Sequence, residues 1–176
     1  MPASTVQVER LPIRRHAPQA YRALIALDAA VRGLDPGLRE LVRLRASQLN
    51  GCSFCVDLHT TAAKRAGETD RRLHAVVVWR EAPFFTETER AALWLTEAIT
   101  RLDDRDALEA AYLQAARVFR PDELAQLVMA IAIINAFNRI GVASGMAPER
   151  PSLASYRVEV GRLLSGEPSS KPNQQA

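Results

Sequence analysis

The sequence predicts an all-α protein, and three observations lead to that fold class. The 176 residues include 29 alanines, and Leu, Glu, Arg and Gln, which are also good helix formers, fill most of the remaining positions. Aromatic residues make up only 6%, and no stretch alternates apolar and polar residues over the length of a strand. The one β-branched run, residues 76–78, lies inside a helical pattern. About eight helices are expected, in a single domain over residues 1–165.

The first two helices are separated by clear breaking signals. The first covers residues 18–32, where apolar side chains recur along most of one face. The Asp35-Pro36 pair then begins the second, which carries a leucine-rich stripe. This helix ends at Asn50-Gly51, a dipeptide that usually marks a turn.

The next three helices are bounded by glycine and by capping residues. The third covers residues 52–66 and stops at Gly67, a normal C-terminal glycine. Thr69 or Asp70 caps the fourth, which is expected to reach almost to Pro83. Residues 86–89 have the sequence Thr-Glu-Thr-Glu, a capping box that opens the fifth.

The C-terminal half is predicted to contain the longest helix. The sixth helix covers residues 106–119. Pro121 at a first helical position, followed by two acidic residues, opens the long apolar seventh. A shorter eighth is expected after Pro151, and the polar tail of residues 166–176 is expected to be disordered.

Charge and hydropathy exclude several classes of function. The net charge is +3, and 21 of the 23 basic residues are arginines scattered among acidic ones, so no nucleic-acid footprint is present. The N-terminus lacks the apolar segment of a secretory signal. The apolar stretch of residues 124–143 is interrupted by three amides and an arginine, which favours a buried core helix over a membrane span. We therefore expect a cytoplasmic protein with neither a nucleic-acid nor a membrane partner.

The candidate catalytic residues are the only two cysteines, Cys52 and Cys55, and His59, which lies four residues after Cys55. On a helix these positions share a face. Cys52 falls in the first turn, where free N–H groups and the helix dipole lower the pKa of a thiol. That position and an expected exposure favour Cys52 as the more acidic thiol, whereas the spacing to His59 favours Cys55. Either way, the pair is predicted to cycle between dithiol and disulfide.

Other interpretations of the same residues are weaker. Zinc prefers Cys and His ligands, but Cys52 and His59 lie ~10.5 Å apart along a helix axis, at 1.5 Å per residue. A c-type haem needs a histidine directly after Cys55, where Val56 stands, and a thioredoxin fold needs strands. No metal or other cofactor is therefore predicted. Two buried structural cysteines beside a satisfied histidine remain an open alternative.

Residues 39–59, Arg-Glu-Leu-Val-Arg-Leu-Arg-Ala-Ser-Gln-Leu-Asn-Gly-Cys-Ser-Phe-Cys-Val-Asp-Leu-His, resemble the AhpD-like alkylhydroperoxidase branch of the carboxymuconolactone decarboxylase family. That branch has a Glu, eleven residues, CxxC, three residues and a His. The same positions here are Glu40, Cys52, Cys55 and His59. The resemblance covers about residues 20–145 and includes the segments 79–85 and 135–139.

The resemblance implies a compact helical domain that assembles as trimers or hexamers. It also implies a peroxidase that reduces alkyl hydroperoxides or hydrogen peroxide, with an external dithiol or protein as reductant. Carried over to this sequence, Cys55 attacks the peroxide and Cys52 resolves the product. His59 and Glu40 form the proton relay.

Two points stay open at the level of sequence. By spacing alone, Glu40 is also explained by a surface ion pair with Arg39 or Arg43. The cysteine pair also fits a redox-responsive binding protein without turnover, in which oxidation changes helix packing or assembly. Decarboxylase or lactone chemistry, as in the other branch of the family, is disfavoured because that branch does not rely on a CxxC.

Overall fold

The computed structural model describes residues 10–148, and within that range it contains eight α-helices, one short 3₁₀ helix and no strand. The all-α prediction is therefore confirmed. In chain order the helices are α1 (Ile13–His16), α2 (Pro18–Ala30), α3 (Pro36–Asn50), α4 (Ser53–Arg65), α5 (Asp70–Ala75), the 3₁₀ helix (Val76–Val78), α6 (Glu87–Arg101), α7 (Arg105–Val118) and α8 (Pro121–Ser144).

Seven of the predicted helices correspond to α2 through α8; six of them have bounds within a few residues of the prediction, and the fourth differs more. The single turn α1 was not predicted, because four residues carry too little periodicity to detect. The predicted helix after Pro151, the tail of residues 166–176 and the domain boundary at residue 165 lie outside the described residues.

The fourth predicted helix is shorter than expected. The helix α5 ends at Ala75 and tightens into the 3₁₀ helix, whose Val76 is fully buried while the next two valines are exposed. Irregular backbone follows, and the guanidinium of Arg90 donates hydrogen bonds of 3.0 Å to the carbonyls of Trp79 and Ala82. An arginine from α6 thus satisfies carbonyls that a continued helix would have bonded itself.

The predicted helix boundaries rest on the expected local contacts. Asp35 caps α3 by accepting a hydrogen bond from the Leu38 N–H at 2.9 Å, and Thr86 and Glu89 form the capping box of α6. Gly51 ends α3 in the left-handed region at φ 67°, where a side chain would be strained. The chain then turns directly into α4.

The helix α3 lies at the centre of the fold and packs against α4, α6 and α8. Nine of its fifteen residues are buried, among them Glu40, Arg43 and Arg45. An apolar cluster with α6, α7 and α8 covers one side, and a second with α4, α5 and the segment before α6 covers another. Charged groups inside a helical core need partners, and those partners define the site described below.

The helix α8 is the one helix of residues 10–148 that is long and apolar enough to cross a membrane by length and composition. Half of its most apolar window is buried inside the fold, and the helix packs against α3 and α6. Its amides Asn135 and Asn138 are buried and hydrogen bonded. These are the features of a core helix, and the described residues have no clear membrane-protein character.

Candidate functional site

The cysteine pair lies at the junction between α3 and α4. Cys52 is the N-cap residue of α4, Cys55 lies in its first turn, and a disulfide joins them with their Cα atoms 5.3 Å apart. The Cys52 N–H donates to the Ser47 carbonyl at 3.1 Å, and the Cys55 N–H donates to Cys52 Sγ at 3.3 Å. The sulfur of Cys52 therefore occupies the position of a capping oxygen at a helix N-terminus.

Both cysteines are buried, with 2% of Cys52 and 4% of Cys55 exposed. The expectation that Cys52 is exposed is therefore wrong. The reason is α8, whose Gly141 lets the helix backbone approach the disulfide closely. A Cβ at this position would lie 3.0 Å from Cys52 Sγ and 3.7 Å from Cys55 Sγ.

His59 and Glu40 meet beside the cysteines. His59 lies one turn after Cys55 on α4 and is buried, with its Nδ1 2.8 Å from Oε2 of Glu40 on α3. The tight turn at Gly51 brings these two helices together, so residues nineteen apart in sequence are in contact. The structure thus brings together the four residues selected from the sequence: Cys52, Cys55, His59 and Glu40.

Glu40 is held in its charged form. Burial by itself would raise the pKa of this carboxyl, but the hydrogen bond with His59 and the charges of Arg43 and Arg39 outweigh it, so the pKa lies below the usual 4.5. An ionised carboxylate only accepts hydrogen bonds, so Nδ1 of His59 carries a proton and donates a hydrogen bond to Glu40. The other ring nitrogen, Nε2, has no hydrogen-bond partner among residues 10–148.

Arg43 extends this pair into a chain of four charged or polar groups. Its Nη1 donates to Oε1 of Glu40 at 2.8 Å, and its Nη2 donates to Oδ1 of Asp28 on α2 at 2.5 Å. Arg43 is only 8% exposed, so the ion pair with Glu40 that sequence spacing suggested does exist, but inside the protein. Asp28 was missed because nothing in the sequence links it to a residue fifteen positions away.

An apolar cavity of about 310 Å³ adjoins these groups. Its polar lining consists of Asp28, Glu40, Arg43, Cys55 and His59, and Cys52 is not part of it. Apolar side chains from α2, α4, α8 and the segment after α8 form the rest: Tyr21, Ile25, Phe54, Leu58, Ala62, Ile134, Phe137, Ile140 and Met146. A small molecule with an apolar body can therefore reach Cys55 and His59 together.

A network of amides, two of them buried, ties the turn before the cysteines to α8. Asn50 Nδ2 donates to the Oδ1 atoms of Asn135 at 2.9 Å and of Asn138 at 3.0 Å. Asn138 in turn donates to Ser47 Oγ at 3.0 Å, and Asn135 donates to Thr100 Oγ1 at 3.0 Å. The segment 135–139 stood out in the sequence by resemblance only, and its partners outside α8 belong to two other helices, α3 and α6.

The arrangement is suited to thiol chemistry. Within residues 10–148, no three His, Cys, Asp or Glu side chains lie close enough to hold a metal ion. A reduced Cys55 would share the cavity with a ring nitrogen that can take up its proton, and Cys52 is already close enough to close a disulfide.

Comparison with known proteins finds one matching family model and several relatives of similar sequence. The sequence model of the carboxymuconolactone decarboxylase family matches residues 18–98. The uncharacterised protein YdfG of Bacillus subtilis is 32% identical over 139 residues, which cover 78% of this chain and 95% of YdfG. The uncharacterised protein YnjA of Escherichia coli is 46% identical over 66 residues, covering 37% of this chain and 36% of YnjA.

Two solved structures share the fold. A protein of unknown function from Agrobacterium tumefaciens, described as a candidate AhpD antioxidant defence protein, superposes with a TM-score of 0.77 at 34% identity, over 81% of this chain and 100% of that one. An uncharacterised peroxidase-related protein from Silicibacter superposes with a TM-score of 0.61 at 20% identity, over 73% of this chain and 69% of that one. The second likeness shows the fold alone.

Proposed function

Because the chain belongs to the carboxymuconolactone decarboxylase family, we propose that it is a thiol peroxidase that reduces hydroperoxides through Cys55 and Cys52. One observation carries the proposal: Cys55 and His59 line the same apolar cavity, and the hydrogen bond to Glu40 keeps the His59 proton on Nδ1. The other ring nitrogen, Nε2, is therefore free to accept a proton. The likeness to the AhpD candidate from Agrobacterium tumefaciens supports it further.

The first chemical step is attack on the peroxide. His59 Nε2 accepts the Cys55 proton, and the thiolate attacks the outer oxygen of the hydroperoxide ROOH. The O–O bond breaks, Cys55 becomes a sulfenic acid, and the leaving alkoxide takes the proton from His59 as ROH. The anionic Glu40 stabilises the imidazolium that exists between these two proton transfers.

The second step closes the disulfide. The Cys52 thiol loses its proton as its sulfur attacks Sγ of the sulfenic acid, and the expelled hydroxide takes up that proton and leaves as water. The product is the Cys52–Cys55 disulfide, the form seen in the structure. Two electrons have passed from the thiols to the peroxide, so an external dithiol or protein reductant must return them before the next turnover.

The lining of the cavity supports organic hydroperoxides as substrates beside hydrogen peroxide. Nine of the fourteen lining residues are apolar, and the volume of about 310 Å³ lies at the small end of ligand pockets. An alkyl or aryl group would bury apolar surface there that hydrogen peroxide lacks, at about 25 cal/mol for each Å². We therefore expect a higher kcat/KM for cumene hydroperoxide than for hydrogen peroxide.

The decisive experiment is a peroxide titration of the reduced protein, with Cys52→Ser and Cys55→Ser as matched variants. Wild type should form the intramolecular disulfide, and Cys52→Ser should accumulate a sulfenic acid on Cys55 that dimedone traps for mass spectrometry. Cys55→Ser should consume peroxide no faster than a small free thiol. Serine is itself a good N-cap residue, so Cys52→Ser should keep the start of α4 intact.

Other results would contradict the proposal. If reduced wild type consumes peroxide no faster than free thiol, while oxidation changes its assembly or partner binding, the redox-responsive binding protein becomes the better hypothesis. If turnover of a lactone or carboxylate substrate survives loss of both cysteines, the decarboxylase chemistry of the family applies instead.

The expected homo-oligomer stays a prediction. Apolar side chains on the outer faces of α7 and α8 support self-association, because Tyr112, Leu113 and Met129 are each more than 40% exposed. Sedimentation equilibrium would give the number of subunits.

A further inference from the structure

We propose that the external thiol that reduces this disulfide attacks Cys55 Sγ, and that Cys52 is the sulfur released first. This assignment specifies the sulfur at which electrons from the reductant enter the protein. It rests on the proposed function only for its biological purpose. The chemistry itself needs only the disulfide and a thiol.

Access is the first argument. Cys55 lines the cavity of about 310 Å³, whereas Cys52 does not. The backbone of α8 covers Cys52, since a Cβ at Gly141 would lie 3.0 Å from its sulfur. A nucleophile approaching through the cavity therefore meets Cys55 first.

The leaving group is the second argument. Cys52 Sγ accepts the Cys55 N–H at 3.3 Å and caps the thirteen-residue helix α4. Both the hydrogen bond and the helix dipole stabilise negative charge on this sulfur. The more stable thiolate leaves faster in thiol–disulfide exchange, so the bond breaks toward Cys52.

His59 can also accept the proton of the attacking thiol. A thiol that enters the cavity comes to His59, whose Nε2 has no partner among the described residues. This nitrogen takes the proton from the thiol, the new bond forms between the thiol sulfur and Cys55 Sγ, and Cys52 leaves as a thiolate. For a dithiol reductant, the second thiol gives its proton to the Cys52 thiolate and attacks the reductant's other sulfur in the mixed disulfide. The disulfide of the oxidised reductant forms, and Cys55 is released and takes the proton held by His59. The dithiol loses two electrons, and the two cysteines gain them.

The arrangement also predicts which reductants work. In a mixed disulfide on Cys55, the released Cys52 lies close enough to attack Cys55 Sγ again and expel the thiol. A monothiol is therefore expelled and the protein disulfide forms again, whereas a dithiol completes the reduction in one intramolecular step. Dithiothreitol should reduce the oxidised protein more than about tenfold faster than 2-mercaptoethanol at equal thiolate concentration.

The test uses wild type oxidised with diamide, so that no peroxide chemistry is involved. The protein is mixed with 2-mercaptoethanol, quenched in acid within the first turnover and alkylated with N-ethylmaleimide. Fragmentation of the peptide that carries both cysteines should place mercaptoethanol on Cys55 and the maleimide on Cys52. The reverse pattern would overturn the proposal.

A second measurement excludes rearrangement of the mixed disulfide. Each single-cysteine variant is treated with methyl methanethiosulfonate, and the rates are compared on the alkaline plateau, where both thiols are fully ionised. Cys55 in Cys52→Ser should react more than about tenfold faster than Cys52 in Cys55→Ser, and equal or inverted rates would contradict the access argument. Mercaptoethanol on Cys55 in a protein that consumes no peroxide would support this inference while contradicting the proposed function.

Discussion

Two buried glutamates pair with arginines of α3: Glu40, which belongs to α3 itself, and Glu97, which belongs to the neighbouring helix α6. Arg43 of α3 pairs with Glu40, and Arg45, only two residues further on, pairs with Glu97. Burial would raise the pKa of each carboxyl. In each case hydrogen bonds and positive charges outweigh burial, so the pKa is lower than usual. By burial, charge and pKa alone, the two sites are equivalent.

They differ in the remaining partners. Glu97 accepts hydrogen bonds from Arg45 at 2.7 Å, from Trp79 Nε1 at 2.9 Å and from Arg80 at 2.5 Å, and all three are permanent donors. Glu40 has His59 as its partner in place of the tryptophan, and only a histidine can give and take a proton near neutral pH.

The neighbouring cavities differ as well. The cavity beside Glu97, of about 230 Å³, has no cysteine or histidine in its lining, whereas the one beside Glu40 has both. A buried carboxylate with a lowered pKa is therefore not sufficient evidence of a reactive site. What marks the Glu40 site as reactive is that one partner of the carboxylate is a histidine, and that this histidine lines a cavity with a cysteine.

The largest difference should come from Glu40→Gln. We expect the second-order rate constant for peroxide consumption to fall about 100-fold, or about 2.7 kcal/mol, because a neutral amide no longer stabilises the imidazolium of His59. Unfolding by urea should become easier by only about 1 kcal/mol, since Arg43 keeps Asp28 as a partner. Stopped-flow kinetics and urea titration measure the two effects.

Asp28→Asn is the matched control for this experiment. It breaks the same chain of ion pairs at its far end, where the Asp28 side chain is 30% exposed and screened by solvent. Its rate constant should stay within about threefold of wild type. An equal loss of rate in both variants would show that the whole chain, and not Glu40 alone, acts on His59.

Glu97→Gln should show the opposite pattern. We expect a loss of about 2 kcal/mol in the free energy of unfolding, because the buried Arg45 loses its counter-ion, while Arg80 is half exposed and loses little. The rate constant for peroxide consumption should stay within about threefold of wild type. A rate loss as large as that of Glu40→Gln would remove the distinction between the two glutamates.

The smallest effect concerns pH, and here the two sites should behave alike. A carboxyl whose pKa is lowered by folding stabilises the protein above its unfolded pKa, near 4.5, and this contribution is lost as the pH falls through the lower folded value. Between about pH 6 and about pH 3, wild type should therefore lose stability. Each glutamine variant should lose less stability than wild type over that range, because it lacks one carboxyl with a lowered pKa. Urea titrations across it provide the measurement, and an unchanged slope in both variants would mean that folding does not lower the pKa of either carboxyl.

Several features of the site were accessible from the sequence because they depend on neighbouring residues. The Asn50-Gly51 break, the start of α4 at the cysteines and the spacing of Cys55 and His59 are set within a few residues. The matching of Glu40 came from resemblance to a family, since its spacing alone also fitted an ion pair with Arg43. The structure contains both contacts.

Other features were beyond the reach of sequence patterns. The burial of Cys52 depends on Gly141, almost ninety positions later, and the amide network joins Asn50 to residues 85 and 88 positions away. Asp28 meets Arg43 only because the fold, in which α2 packs against α8, brings the end of α2 within reach of the Arg43 side chain. No local signal marks such pairs, because they are chosen by how the helices pack.

The sequence by itself therefore determined the all-α class, the capped helix starts and the position of a cysteine pair at the beginning of a helix. These follow from backbone propensities and side-chain contacts over three or four residues. Only the tertiary structure decided which cysteine faces a cavity and which of two buried glutamates meets a histidine. Burial and charge pairing depend on the packing of helices that are distant in sequence, and that packing converts two similar glutamates into two different sites.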